Sequence, residues 1–247
     1  MILIPLLAAG CISGSAVAAG IDQSAQYQAC MALISRSPME ASESARTWAE
    51  RGGGIPARHC LARALIGLKK PKEAADELEG LIKLVPEDRK DLVPDLMGQA
   101  ALAWVEVGDL QRAFALQSEA LKRRPGDMDL LTDRAITLGQ SGHYWEAIDD
   151  LNLVLQRAPR RVDALVYRAT AYRYVDELEL GLEDAEKAVG ADPRNLAALL
   201  ERGIQRRLKG DDAGARSDWM ALLRIAPNAA ESEAARANLE KLDVKPR

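Results

Sequence analysis

Few side chains in this 247-residue chain are placed for chemistry: three cysteines, two histidines, and three arginine–aspartate pairs set 16 residues apart. The histidines, His59 and His143, lie far apart, and with so few His and Cys no set reaches the three or four protein donors of a zinc site. Nucleophile elbow, Walker loop and dinucleotide fingerprint are all missing from the sequence. Acidic residues are plentiful, but none stands out as the lone carboxyl of raised pKa that glycan hydrolysis demands. The chain therefore reads as no enzyme, with no metal and no cofactor. The pairs Arg134 with Asp150, Arg168 with Asp184 and Arg202 with Asp218 recur in register. An arginine fork meeting a carboxylate across a helical hairpin is a structural staple, and three copies in step favour that over a ligand site.

The cysteines carry redox and targeting information. The first twenty residues hold no Asp, Glu, Lys or Arg, and Ala16-Val17-Ala18 offers the small residues a signal peptidase requires. Residues 1–18 are expected to be a signal peptide cleaved before Ala19, placing the protein in the periplasm. A competing reading uses Leu7-Ala8-Ala9-Gly10-Cys11, which looks like a lipobox with Ala8 where Leu is usual. Lipidation at Cys11 would give an outer-membrane lipoprotein, and only then would the membrane be a partner. Cleavage leaves Cys30 and Cys60, two cysteines in an oxidising compartment, which suggests a disulfide against the alternative of two buried thiols.

Elements that could position these groups announce themselves through proline. Pro125, Pro159, Pro193 and Pro227 each follow the last by 34 residues, with Pro86 a further 39 upstream of the first. With the closing proline as position 32, units begin at Ile55, Pro94, Met128, Val162 and Leu196. Position 8 then reads Ala62, Ala101, Ala135, Ala169 and Gly203, and position 20 reads Ala74, Ala113, Ala147, Gly181 and Ala215. Small residues there let two antiparallel helices approach closely. Gly108, Gly142 and Gly210 fall at position 15, where the first helix must stop. The five extra residues Glu87 to Asp91 are expected to form a charged linker or an extra helical turn.

This small-residue and terminal-proline pattern resembles the tetratricopeptide repeat across residues 55–227. The resemblance implies an all-α, right-handed α-solenoid of helix-turn-helix repeats. Residues 19–54 read as a degenerate N-terminal helix pair, and 228–247 as a C-terminal capping helix started by Asn228 with Glu231. It also implies a groove on the concave face, lined by helix-A positions 2, 5, 9, 12 and 13. Here these include Asp95, Leu102, Val105 and Glu106, then Asp129, Thr132, Ile136 and Gln140. Further along they are Asp163, Val166, Thr170, Arg173 and Tyr174, followed by Leu200, Ile204, Arg207 and Leu208. The Lys and Asn set with which co-chaperones clamp a C-terminal carboxylate is absent from these positions.

A net charge of −4 argues against a general nucleic-acid binder. Apolar groove residues favour an apolar or extended protein or peptide partner. The expected function is thus a non-catalytic protein–protein interaction scaffold or assembly factor of the bacterial cell envelope. The alternative is a lipid-anchored outer-membrane, pilus or cytochrome assembly lipoprotein, and an envelope glycan hydrolase ranks last. Tyr174 beside Arg173 has the composition of a binding hot spot, unless the ring merely packs against the next helix.

Overall fold

The structure, a computed structural model, describes residues 24–243. The expected leader, its cleavage site and Cys11 lie outside the described residues. Among those described there are thirteen α-helices and no strand. They run α1 Ala25–Ile34, α2 Pro38–Glu50, α3 Gly54–Gly67, α4 Pro71–Ile82, α5 Val93–Val107, α6 Leu110–Arg123 and α7 Met128–Gln140. They continue as α8 Tyr144–Arg157, α9 Val162–Tyr174, α10 Leu178–Ala191, α11 Leu196–Leu208, α12 Asp212–Ile225 and α13 Ala230–Asp243. The chain forms two compact units, one reaching to Ser141 and one running from Gly142.

Local chemistry sets the helix ends. Ser24, Ser37, Asp109, Asp127, Asn195 and Asp211 each turn a side-chain oxygen onto an orphan amide at the start of the following helix. The five residues inserted after Pro86 belong to a short 3-10 segment, Glu87–Leu92, that leads straight into α5. Position 15 is left-handed in every repeat: Gly108, Gly142 and Gly210 are joined by Lys69 at φ 59° and Asp176 at φ 64°. The turn geometry is thus kept even where glycine is not.

Packing follows the repeat register. The alanines at positions 8 and 20 are buried, as are Leu78, Gln117, Leu151, Ala185 and Trp219 at position 24 and Leu81, Ala120, Val154, Ala188 and Leu222 at position 27. The two glycines that replace alanine answer to large neighbours. A Cβ on Gly203 would sit 2.8 Å from Trp219 Cδ1, and one on Gly181 would lie 2.5 Å from Gln205 Nε2, so an alanine at either position would displace a buried side chain. In the first unit Ala75, Ala101, Ala103, Trp104 and Ala113 form a cluster. Arg112 stacks 3.7 Å from the Trp104 ring centre while Glu79 accepts from both Trp104 Nε1 and Arg112. At the C-terminal end α13 begins at Ala230, so Asn228 does not cap it. Instead the Ser232 hydroxyl turns back onto the Ala226 carbonyl.

Candidate functional site

In the unit ending at Ser141, α1 and α3 are joined twice. Cys30 and Cys60 form a disulfide with Cα atoms 6.4 Å apart. One turn from Cys30, the Tyr27 hydroxyl lies 2.7 Å from His59 Nδ1, and His59 Nε2 lies 3.0 Å from Gln99 Oε1 on α5. Three A-type helices are therefore threaded by one polar relay. The arrangement assigns a neutral ring that accepts from Tyr27 and donates to Gln99. Burial, opposed by the Gln99 hydrogen bond and reinforced by the nearby Arg63 charge, lowers the His59 pKa to about 4.

On the A-helix face of this unit, Leu102 and Ile136 are half-buried and Glu106, Gln140 and Asp129 are exposed. Thr132 differs from its expected role as a groove residue. It is buried, and its hydroxyl donates to the Met128 carbonyl of its own helix. Asp95 is engaged by Arg124, whose Nη2 lies 2.7 Å from Asp95 Oδ1, close but out of line for a hydrogen bond. Sequence reading passed over Arg63, at position 9 of its unit. Its guanidinium is half-buried, with Nη1 sealed from solvent and without a hydrogen-bond partner. A charged group surrounded by apolar spacing in the sequence was the available signal.

In the unit from Gly142, Val166 and Thr170 are likewise turned into the packing rather than presented on the A-helix face. Asp163 is held by Arg161 through Nε and Nη2. Arg173 is committed too: its Nε donates to Glu201 Oε1 at 2.9 Å, linking α9 to α11. Burial opposes the Arg173 charge, but Glu201 outweighs it and holds the guanidinium above its usual range. What stays open is Tyr174, 45% exposed, with Leu200, Ile204 and Arg207 half-buried and Leu208 52% exposed. Tyr174 stacks on Tyr144, ring centres 4.5 Å apart and planes 3° from parallel. Tyr144 starts a B-type helix, outside the A-helix positions that the repeat resemblance assigns to the groove.

The expected arginine–aspartate pairs form forks in this unit. Arg168 donates to Asp184 at 2.7 and 2.8 Å and reaches Asn152 at 2.6 Å. Arg202 donates to Asp218 at 2.9 and 2.6 Å, and Arg206 adds a third bond to Asp218 at 2.9 Å. Burial works against the Arg168 charge, yet Asp184 holds it above its usual range. In the other unit Arg134 donates to Ser118 Oγ at 3.3 Å. No group of three or more His, Cys, Asp or Glu among the described residues could hold a metal ion, and none of their helices is long and apolar enough to cross a membrane.

No family model matches the chain, and no curated protein matches it. Solved structures do. PilF of Pseudomonas aeruginosa is 15% identical and superposes with a TM-score of 0.67, covering 90% of this chain and 99% of that one. MamA of Desulfovibrio magneticus RS-1, residues 41 to the end, is 23% identical with a TM-score of 0.61, covering 71% of this chain and 97% of its own. A tetratricopeptide repeat protein from Parabacteroides merdae is 19% identical, with a TM-score of 0.62 over 73% of this chain and 70% of that one. The shared feature is the fold: a solenoid of tetratricopeptide repeats.

Proposed function

We propose that this tetratricopeptide-repeat fold serves as a non-catalytic scaffold or assembly factor of the bacterial cell envelope, holding a protein or peptide partner on its A-helix faces. The observation that carries the reading is the exposed Tyr174 ring, stacked on Tyr144 with Leu208 also exposed and Arg207 half-buried at its register neighbours. A packing ring would be covered; this one presents area that is rigid, amphipathic and of low conformational entropy, the character of binding hot spots. Arg173 backs the ring, its guanidinium 4.7 Å from the Tyr174 ring centre, while its charge is satisfied by Glu201.

The test is a crosslinking pull-down from envelope extract with the intact protein and with Tyr174→Ala combined with Arg207→Ala. Loss of the captured partners with an unchanged melting temperature supports the reading. Retention of every partner by the folded double variant refutes it for this face. Export is checked in the same preparation: a mature chain beginning at Ala19 supports the periplasmic location, an intact Met1 opposes it, and a diacylglyceryl mass on Cys11 selects the lipoprotein.

A further inference from the structure

Tyr144 and Tyr174 lie ring on ring where α8 begins and α9 ends, their centres 4.5 Å apart and their planes 3° from parallel. Aromatic faces touch at about 3.5 Å, so the rest of that separation is sideways slip, and carbons of each ring lie in van der Waals contact with the other. Rotation about the Cβ–Cγ bond of tyrosine is soft and roughly two-fold. It exchanges the two carbons ortho to the hydroxyl, so either of them is turned toward the facing ring without movement of the helices.

The pair differs from the other tyrosines in access as well as in contact. Tyr174 is 45% exposed and Tyr144 is half-buried. Tyr27 is fully enclosed and bonded to His59, and Tyr172 is half-buried with the Arg168 guanidinium 5.8 Å from its ring centre. Tyr174 is also braced, because the Arg173 guanidinium beside its ring is itself held by Glu201 on α11. The tyrosine most open to an oxidant in solution is thus the one already resting on a second phenol.

This arrangement favours one reaction. An oxidant of the haem-peroxide class takes one electron and the hydroxyl proton from each phenol. The two phenoxyl radicals, whose spin density lies partly on the ortho carbons, join through a new carbon–carbon bond, and the hydrogens on the joined carbons move to the oxygens and restore both hydroxyls. In balance, two tyrosines and one hydrogen peroxide give one dityrosine and two waters. Between free tyrosines the coupling waits on the chance encounter of two short-lived radicals. Held in contact, the two rings react as parts of one molecule, the advantage that positioning gives any bimolecular step.

We propose that Tyr144 and Tyr174 are an oxidative crosslinking site, converted by hydrogen peroxide and a haem peroxidase into an intramolecular dityrosine that welds α8 to α9. The joined residues are 30 apart, the same separation as Cys30 and Cys60. The unit from Gly142 thereby gains a covalent tie of the span that the other unit already has. The proposal needs no partner and stands apart from the scaffold reading.

The test treats the intact protein, dilute and without partners, with a haem peroxidase and hydrogen peroxide, and separates the products by denaturing electrophoresis. The monomer band is expected to acquire the blue fluorescence of dityrosine and to lose the mass of two hydrogen atoms, with the Tyr144 and Tyr174 peptides found joined by tandem mass spectrometry. Tyr144→Phe and Tyr174→Phe each keep a stacking ring but lack one phenol, and each should abolish the monomer fluorescence. Tyr172→Phe should leave it unchanged. Fluorescence confined to dimers, linkage of a different tyrosine pair, or a monomer signal that survives Tyr144→Phe in a variant of parental melting temperature overturns the proposal. So does recovery of unlinked protein from a reaction in which added free tyrosine is coupled.

Discussion

Ion pairs join helices in both units, as Arg58 to Glu77 does in the first, but the two units fasten neighbouring A-type helices by different chemistry. Up to Ser141, neighbouring A-type helices are held by a disulfide and by a neutral relay through Tyr27, His59 and Gln99. From Gly142 onward α9 and α11 are joined ionically by Arg173 to Glu201, and the A and B helices of each repeat by Arg168 to Asp184 and by Arg202 with Arg206 to Asp218. The first kind responds to reductant and to mild acid. The second unit holds no disulfide among its described residues and so does not respond to reductant. One repeat fold thus carries one half fastened by a disulfide and a buried neutral histidine and one half fastened by ion pairs.

Of the two largest expected effects, one breaks the ionic half. Asp218 is buried and takes three hydrogen bonds from two guanidinium groups. Asp218→Ala strands Arg202, while Arg206 keeps Glu186 and Asp211 within 4.0 Å, and it is expected to cost about 3 kcal/mol, the low end of the range for removing one partner of a buried pair. Urea unfolding at neutral pH measures it, and the loss should be unchanged by dithiothreitol. A cost under about 1 kcal/mol would mean the fork is no more than a surface pair.

The other breaks the covalent lock. The bridge closes a loop of sequence separation 30, for which chain entropy gives about 3 to 4 kcal/mol. Cys30→Ser should lower stability by that amount, and dithiothreitol should reproduce the loss in the parent while leaving the variant unmoved. In a solenoid, stability sums local and nearest-neighbour terms, so hydrogen exchange should speed in α1 to α4 and stay unchanged in α11 to α13. Uniform acceleration throughout would erase the distinction between the halves.

Acid acts on the same half. His59 is neutral in the fold with a pKa of about 4 against an ordinary 6.5. The unfolded chain binds the proton more readily, so the contribution of the neutral ring is fully present above about pH 6.5 and is lost as pH falls toward 4. The slope approaches about 1.4 kcal/mol per pH unit, for a total near 3 kcal/mol. His59→Gln should flatten this pH profile between 4 and 6.5 at the expense of some stability at pH 7, since Tyr27 and Gln99 lose their shared partner. A parent profile that is flat over that range would contradict the neutral assignment.

Much of this was legible because repeats overdetermine their own register. Five prolines and the alanines at positions 8 and 20 place the helix starts of α3, α5, α7, α9 and α11 within a residue of where the structure has them. The forks of Arg168 and Arg202 follow from spacing alone, since a fixed separation in an antiparallel hairpin becomes a fixed contact. The groove was less legible. Thr132, Val166 and Thr170 occupy groove positions by number, but they are buried in the packing. Arg173 looked available because its partner, Glu201, lies in the next repeat, where no intrarepeat spacing rule reaches. The Tyr27 to Gln99 relay has no periodic counterpart in the other repeats, and a feature present once leaves no pattern to read.

The smallest expected effect sharpens the comparison with one substitution in each half. Lys69 and Asp176 occupy position 15 with φ of 59° and 64°, where the other three repeats have glycine. A side chain in the left-handed region costs about 1 to 2 kcal/mol. Replacing it with glycine recovers that strain but frees the unfolded chain, which takes back part of the gain. Aspartate tolerates this conformation better than lysine, because its short polar side chain bonds locally. Lys69→Gly should therefore stabilise by about 1 kcal/mol and Asp176→Gly by about half that, read as shifts in the denaturation midpoint. Lys69→Ala is the control: it keeps the Cβ and should gain nothing. If Lys69→Ala stabilises as much as Lys69→Gly, then the strain is not in the backbone and position 15 is left-handed for some other reason than turn geometry. If Asp176→Gly gains more than Lys69→Gly, the ranking by local hydrogen bonding is wrong, and the turn before α10 is the tighter of the two.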